Sequence, residues 1–412
     1  MSTKEVTTTL KRWQTIEGQP LDPIFELAQR ATTAKGPKAN LVIGAYRDEQ
    51  GRPYPLQVVR KAERLLLDMN VDYEYLPISG YQPFIDEAIK MIYSDSIELE
   101  NIVAVQTLSG TGAVSLGARL LTRVFDVEKT SLYLSNPTWP NHYGIMRASG
   151  WKDIRTYTYY DPKIVGLDFE GMKKDILAAP DGSVFVLHQC AHNPTGVDPS
   201  HEQWDEIASL MLTKRHQVFF DSAYQGYASG SLDTDAYAAR LFARRGIEVL
   251  LAQSFSKNMG LYSERTGTLS LLLKDKTKRA DVKSVMDSLI REEYTCPPAH
   301  GARIAHLILS SNELRKEWET ELASMAERIR TMRHTVYNEL LRLQTPGSWE
   351  HVINQIGMFS YLGLSKEQCE YCQDHNIFIT LSGRANMAGL THETALMLAQ
   401  TINDAVRNVD RK

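Results

Sequence analysis

Ile247-Glu248-Val249-Leu250-Leu251-Ala252-Gln253-Ser254-Phe255-Ser256-Lys257-Asn258-Met259-Gly260-Leu261-Tyr262-Ser263-Glu264-Arg265 is the stretch from which the fold is read. Its apolar start has the length and β-branched content of a buried strand. The strand opens into two serines and a lysine, which places the amine at a sheet's edge, where α/β folds carry their sites. Ser254 and Ser256 can orient an anion or the amine, and Arg265 adds a planar fork suited to phosphate. A lysine beside a phosphate anchor suggests a Schiff base with pyridoxal phosphate, whose ring takes up electrons. Ser-x-Ser-Lys alone also fits a solvated loop, so the other strand ends must decide.

Three of them carry comparable chemistry. Ser109-Gly110-Thr111-Gly112 follows a strand ending at Leu108 and opens a helix, where hydroxyls and free N–H groups make an anion seat. A Walker loop would need lysine where Ala113 stands, so a tight turn is the competing reading. His192-Asn193-Pro194-Thr195-Gly196 is turn chemistry after Val184–Gln189, and Asn193 can offer its amide to a ligand. Asp221-Ser222-Ala223-Tyr224 ends another apolar strand, and a carboxylate there needs a cationic partner such as a protonated pyridine nitrogen. Tyr224 can reach that ring's phenolic oxygen, and Trp139 can stack on the ring or simply fill the core.

Apolar strands at Val103–Leu108, Leu132–Ser135, Ile154–Tyr159, Val184–Gln189, Val218–Asp221 and Val249–Ser254 alternate with helical patterns at Ala113–Phe125, Phe169–Ala178, Glu202–Thr213 and Ala236–Arg244. That order predicts an α/β chain with a mostly parallel sheet covered by helices. Further helices are expected at Leu21–Ala34, Tyr54–Met69 and over the charged run Asn312–Leu343, with a strand at Asn40–Tyr46. Past Pro346-Gly347 the pattern restarts as Gly357–Leu364 (strand), Lys366–His375 (helix), Ile377–Leu381 (strand) and His392–Asn408 (helix). With 412 residues, more than one core is expected. The division predicted is an arm at 1–20, a large domain at 54–325, and a smaller α+β domain from 21–53 with 326–412.

A net charge of -4 suggests neither nucleic acid nor an anionic membrane as partner, and no apolar run approaches the ~20 residues of a membrane span. Residues 1–20 hold Glu5 and Glu17 and lack the apolar core of a secretory signal, so an arm is expected there. Cys369-x-x-Cys372 has no second pair to complete a zinc site, and no metal site is expected. The four cysteines read as reduced thiols of a cytoplasmic protein.

In this order the motifs resemble those of the fold-type I pyridoxal-phosphate aminotransferases, and among them the aspartate aminotransferase family. The likeness runs from about Asp22-Pro23-Ile24 to the last helix. It also rests on Asn40-Leu41-Val42-Ile43-Gly44-Ala45-Tyr46-Arg47, Glu74-Tyr75-Leu76-Pro77-Ile78, Asn136-Pro137-Thr138-Trp139, Gly357-Met358-Phe359-Ser360 and Ser382-Gly383-Arg384. The resemblance implies a seven-stranded-type sheet and transfer of an amino group between aspartate and 2-oxoglutarate, by a ping-pong route. It implies that Lys257 binds the cofactor covalently and moves the proton, and that Asp221 pairs with the pyridinium. Tyr224 and Asn193 would bond the ring oxygen, with Trp139 above. Ser109, Gly110, Thr111, Ser254 and Arg265 would hold the phosphate, joined by Tyr75 of a second subunit in a homodimer with shared sites. Arg384 would clamp the substrate's α-carboxylate and Arg291, from the other subunit, its distal carboxylate. Gly44 lies on a segment expected to close over the substrate, and His142 and His188 match positions near Asp221.

One departure bears on substrate range. Glu292 and Glu293 follow Arg291 where the family pattern has an aromatic residue and serine. Two acids there would weaken the grip on acidic substrates or point to solvent, which leaves room for aromatic amino acids. A lyase or decarboxylase on the same scaffold, or a cofactor-binding scaffold without turnover, are the competing readings. Paired Arg291 and Arg384 favour two-carboxylate substrates, and the full set of lysine, aspartate and arginines favours turnover.

Overall fold

The computed structural model describes residues 16–18 and 20–409. The expected arm at 1–20 therefore lies almost wholly outside the described residues. Seven strands make the central sheet: β1 (Ile102–Leu108), β2 (Leu132–Asn136), β3 (Ile154–Thr158), β4 (Val184–His188), β5 (Gln217–Ser222), β6 (Val249–Ser254) and β7 (Thr266–Leu272). Their spatial order is β1-β7-β6-β5-β4-β2-β3. Only β7 runs antiparallel to its neighbours, β1 and β6. Successive residues of one strand point to opposite faces. Phe219 and Leu250 join one apolar cluster while Phe220 and Leu251 join another, so the sheet is buried on both sides. Near-continuous apolar runs are what such a sheet requires, which is why six of the seven strands are readable from sequence.

The seventh, Thr266–Leu272, follows the Lys257 stretch directly and escapes the strand–helix alternation. Gly267 sits where a Cβ would come within 2.5 Å of Gln253 O and 2.7 Å of the Ser109 carbonyl carbon. Glycine there lets β7 pass close behind the start of helix Ser109–Leu121.

The expected strand Asn40–Tyr46 is a correction. Only Ala39–Asn40 is strand, paired in parallel with Ile377–Phe378. Main-chain bonds continue through Leu41, to Phe378 and Asn386, and beyond it side chains replace a ladder: Asn386 Nδ2 donates to Ile43 O and Ala45 O, each at 2.8 Å. Likewise the strand expected over Gly357–Leu364 is confined to Phe359–Tyr361, which pairs antiparallel with Arg384–Asn386. The charged run is one helix, Asn312–Arg342. Its 31 residues span about 46 Å at ~1.5 Å per residue. Capping boxes at Ser200, Ser365 and Thr391 fix the starts of three further helices.

Candidate active site

The parallel strands end on one side of the sheet, and residues at or just past the ends of several of them line a cleft of about 610 Å3. Ser109, Gly110, Thr111, Trp139, Asn193, Asp221, Tyr224, Ser254, Lys257, Arg265, Gly44 and Arg384 all border it. Twelve of the fourteen residues to which the resemblance gives a cofactor or substrate role thus meet in one place, with Ser256 and His188 beside them.

At one end lies an oxygen- and amide-rich seat. Ser109 Oγ is 3.0 Å from Ser254 Oγ and 2.6 Å from Ser256 Oγ, and Arg265 Nη1 donates to Ser256 Oγ at 3.5 Å. Helix Ser109–Leu121 starts here and brings its unpaired N–H groups and positive dipole end. Ser109 holds φ 60° and Arg265 φ 53°, left-handed conformations uncommon for side-chain-bearing residues. A Cβ on Gly110 would lie 3.0 Å from Ser254 Cβ, so glycine keeps the seat open.

At the other end stands Asp221, with His142 Nε2 at 3.1 Å from its Oδ2. Thr138 Oγ1 is 2.8 Å from His142 Nδ1 and 3.4 Å from His188 Nε2, and Asn193 N–H donates to His188 Nδ1 at 3.0 Å. The Asn193 contact fixes the His188 tautomer. His188 accepts at Nδ1, so its proton is on Nε2 and goes to Thr138, whose hydroxyl also meets His142 Nδ1, and His142 gives Nε2–H to the carboxylate. Burial disfavours the Asp221 charge, yet the His142 hydrogen bond, with His188 and Lys257 nearby, outweighs it and holds the carboxyl below its ordinary range. Burial drives His188 down to about 3, so this ring is neutral.

Between the two ends, the Lys257 ammonium lies 5.3 Å from the centre of the Tyr224 ring. Burial lowers the Lys257 amine, and Arg265 and Arg384 reinforce this against the opposing pull of Asp221. Arg384 is buried, donates from Nη2 to Val42 O at 2.6 Å, and sits with Cζ 4.4 Å from the centre of the Phe359 ring. A Cβ on Gly44 would lie 2.6 Å from that ring, so only glycine fits between them.

Residues 37–402 match the model of the class I and II aminotransferases. The chain belongs to that family. A cytoplasmic aspartate aminotransferase of Dictyostelium discoideum is 46% identical over 94% of this chain and 88% of its own. The structure of the broad specificity aminotransferase from Leishmania mexicana is 86% identical, with a TM-score of 0.97, over 98% of this chain and 100% of that one. An aromatic-amino-acid aminotransferase from Burkholderia pseudomallei, solved covalently bound to pyridoxal phosphate, is 34% identical with a TM-score of 0.92, over 96% and 99% of the two chains. This protein is a pyridoxal-phosphate-dependent aminotransferase.

The aminotransferase cleft suits that cofactor on its own geometry. Among the described residues, the buried Asn193 Oδ1 and Arg384 Nε have no hydrogen-bond partner, and both residues line the cleft. The serine, amide and arginine seat matches a phosphate, and ionised Asp221 matches a protonated ring nitrogen.

Tyr75 and Arg291 do not reach this cleft in their own chain. Tyr75 is 85% exposed, and Arg291 is exposed in the last turn of helix Arg279–Glu293. Glu292 and Glu293 do not stand free: they pair with Arg119 at 3.3 and 3.1 Å. Sequence reasoning missed Phe359 as a site residue, although its motif was noted. Nothing in a lone phenylalanine of a short strand marks it as the surface on which an arginine lies.

Proposed function

We propose that the chain transfers the amino group reversibly between L-aspartate and 2-oxoglutarate, giving oxaloacetate and L-glutamate in two half-reactions. The observation that carries this reading is one cleft holding a buried amine of lowered proton affinity (Lys257), a buried carboxylate held below its ordinary range (Asp221) and a buried guanidinium (Arg384). Lys257 would hold pyridoxal phosphate, with Ser109, Gly110, Thr111, Ser254 and Arg265 at its phosphate and Asp221, Tyr224, Asn193 and Trp139 around its ring. When bound, the cofactor supplies the aldehyde that exchanges amino groups and a ring that accepts the electron pair left by proton removal. Lys257 Nζ takes the proton from the substrate Cα, for which its lowered affinity for protons fits it. Asp221 stays charged and His142 orients it. Arg384 grips the α-carboxylate through its remaining N–H groups.

Arg291 and Tyr75 would act in the neighbouring site of a homodimer; their exposure and their absence from the lining of their own cleft support this. Acceptance of aromatic amino acids is the second reading, supported by the broad specificity of the Leishmania mexicana structure. We also propose the division into a large domain at 54–325 and a smaller one from 21–53 with 326–412. Pairing of Ala39–Asn40 with Ile377–Phe378 supports joining those two segments. A cytoplasmic location is supported by the name of the Dictyostelium discoideum relative. The test is the cofactor's absorbance in purified holoenzyme: L-aspartate converts it to the amine form and 2-oxoglutarate restores it, whereas a static spectrum would refute turnover.

A further inference from the structure

Arg333 lies in the middle of helix Asn312–Arg342 and is 1% exposed, one of the largest fully buried side chains of the molecule. Among the described residues no carboxylate pairs with it. Its fork is spent on three main-chain carbonyls instead: Nη1 donates to Val352 O at 3.0 Å, and Nη2 to Gly357 O at 3.0 Å and to Phe359 O. A buried cation without a counter-charge is expensive, and only dense hydrogen bonding offsets that.

The three carbonyls run from the short helix His351–Asn354, through the loop after it, to the first residue of strand Phe359–Tyr361, and this segment touches the site twice. Ile356 N–H donates to Gly196 O at 2.7 Å, and a Cβ on Gly357 would lie 2.4 Å from Ala191 Cβ, so the loop rests on the turn that carries Asn193. Phe359 then presents its ring to Arg384 at 4.4 Å and to Tyr224 at 6.1 Å between ring centres, with Gly44 against its edge. In the ladder, Phe359 opposes Asn386 and Tyr361 opposes Arg384. One side of the Arg384 guanidinium therefore lies on a ring whose main chain Arg333 holds.

We propose that Arg333 is a positioning residue for α-carboxylate recognition, acting through Phe359 on Arg384. The inference rests on the reading of Arg384 as the carboxylate clamp. Packing alone would fill the helix–loop gap with an apolar side chain; the fork adds a fixed place for the Phe359 carbonyl and hence for the ring. The signature follows from the substrate. Every amino acid carries an α-carboxylate, so a displaced Arg384 weakens all substrates alike, and it does so in binding. A fault at the cofactor's groups appears in kcat, and one at Arg291 appears only with two-carboxylate substrates.

The experiment uses holoenzyme of R333M and R333K. R333M keeps length and apolar packing but leaves three buried carbonyls without donors, while R333K keeps the charge and some of the donors. R333M is expected to raise KM for L-aspartate and L-phenylalanine by the same factor, up to about 100-fold, the scale of a misplaced substrate-binding group. Its kcat should stay within about threefold. The Kd of succinate, which cannot react, should rise by a similar factor, with cofactor content and absorbance unchanged; R333K should recover part of each loss. A folded R333M with wild-type KM and Kd, or with its loss confined to kcat or to cofactor content, overturns the proposal. If R333M yields no folded holoenzyme, R333K decides, and wild-type values there overturn it equally. Should wild type bind succinate yet fail to turn over aspartate, the substrate reading fails, while the succinate comparison still tests Arg333.

Discussion

His188 and Asp221 are register partners on the adjacent strands β4 and β5, and Thr138 and His142 bridge their side chains. Neutral His188 is built into that bridge, because its Nδ1 must accept from Asn193 and its Nε2 must donate. Acid therefore attacks it. Burial places its proton affinity at about 3 against an ordinary 6.5, so its contribution to stability is present above 6.5 and lost as pH falls towards 3. At ~1.36 kcal/mol per unit the loss is on the order of 4–5 kcal/mol. His188→Gln can accept and donate in the same places without titrating, so its stability should fall less steeply below pH 6.5. His192, stacked on His188 at 4.3 Å and also held neutral by burial, keeps part of the slope. Urea unfolding of both proteins from pH 7 to 4 measures this, and identical slopes would sink the assignment.

Asp221→Ala removes the cleft carboxylate that acts on Lys257. The ring nitrogen then loses its charged partner, and kcat should drop by roughly 10²–10³, the scale of a lost preorganised electrostatic contact. Cofactor should remain attached through Lys257. Steady-state kinetics and the cofactor's absorbance separate this from simple anchoring: an unchanged kcat with weaker cofactor binding would make Asp221 an anchor.

Glu292 and Glu293 are tied to Arg119, so neutralising them should barely disturb Arg291. Partly exposed pairs of this kind are worth ~0–1 kcal/mol. For the Glu292→Gln, Glu293→Gln double variant, KM for L-aspartate should change by less than about threefold. A fall of tenfold or more would restore the sequence reading, in which these acids weaken the grip on acidic substrates.

How much of this was legible beforehand depends on what each residue does locally. Ser109, Asn193, Asp221 and Lys257 follow apolar strands, and polar residues after a buried strand announce a site with no knowledge of tertiary contacts. Gly267 and its strand were hidden, because threonines, a serine and a glycine dilute the apolar run. Asn40–Tyr46 has strand composition, but its main-chain pairing with neighbouring strands stops at Leu41, and pairing is not written in local sequence. Arg333 looks like one more charge on an amphipathic helix. Only the packed structure shows that its face is turned inwards onto the Phe359 loop.

Arg291 is exposed in its own chain, and its place in a neighbouring site can be tested by mixing subunits. If it grips the distal carboxylate, Arg291→Ala leaves a desolvated anion unpaired, at about 2–5 kcal/mol. At ~1.4 kcal/mol per decade, kcat/KM for aspartate should fall by roughly 30- to several-thousand-fold, and much less for an aromatic substrate. Lys257→Ala should abolish turnover altogether while the protein stays folded, because the base and the covalent attachment are lost together. Both homodimers are then crippled towards aspartate. A hybrid dimer of the two sets the intact Arg291 of the Lys257→Ala chain beside the intact Lys257 of the other, which rebuilds one site in two. Purified hybrids should regain about half the wild-type aspartate activity, as expected for independent sites. Hybrids no better than the Arg291→Ala parent would mean that Arg291 serves its own chain, and the shared site would have to be abandoned.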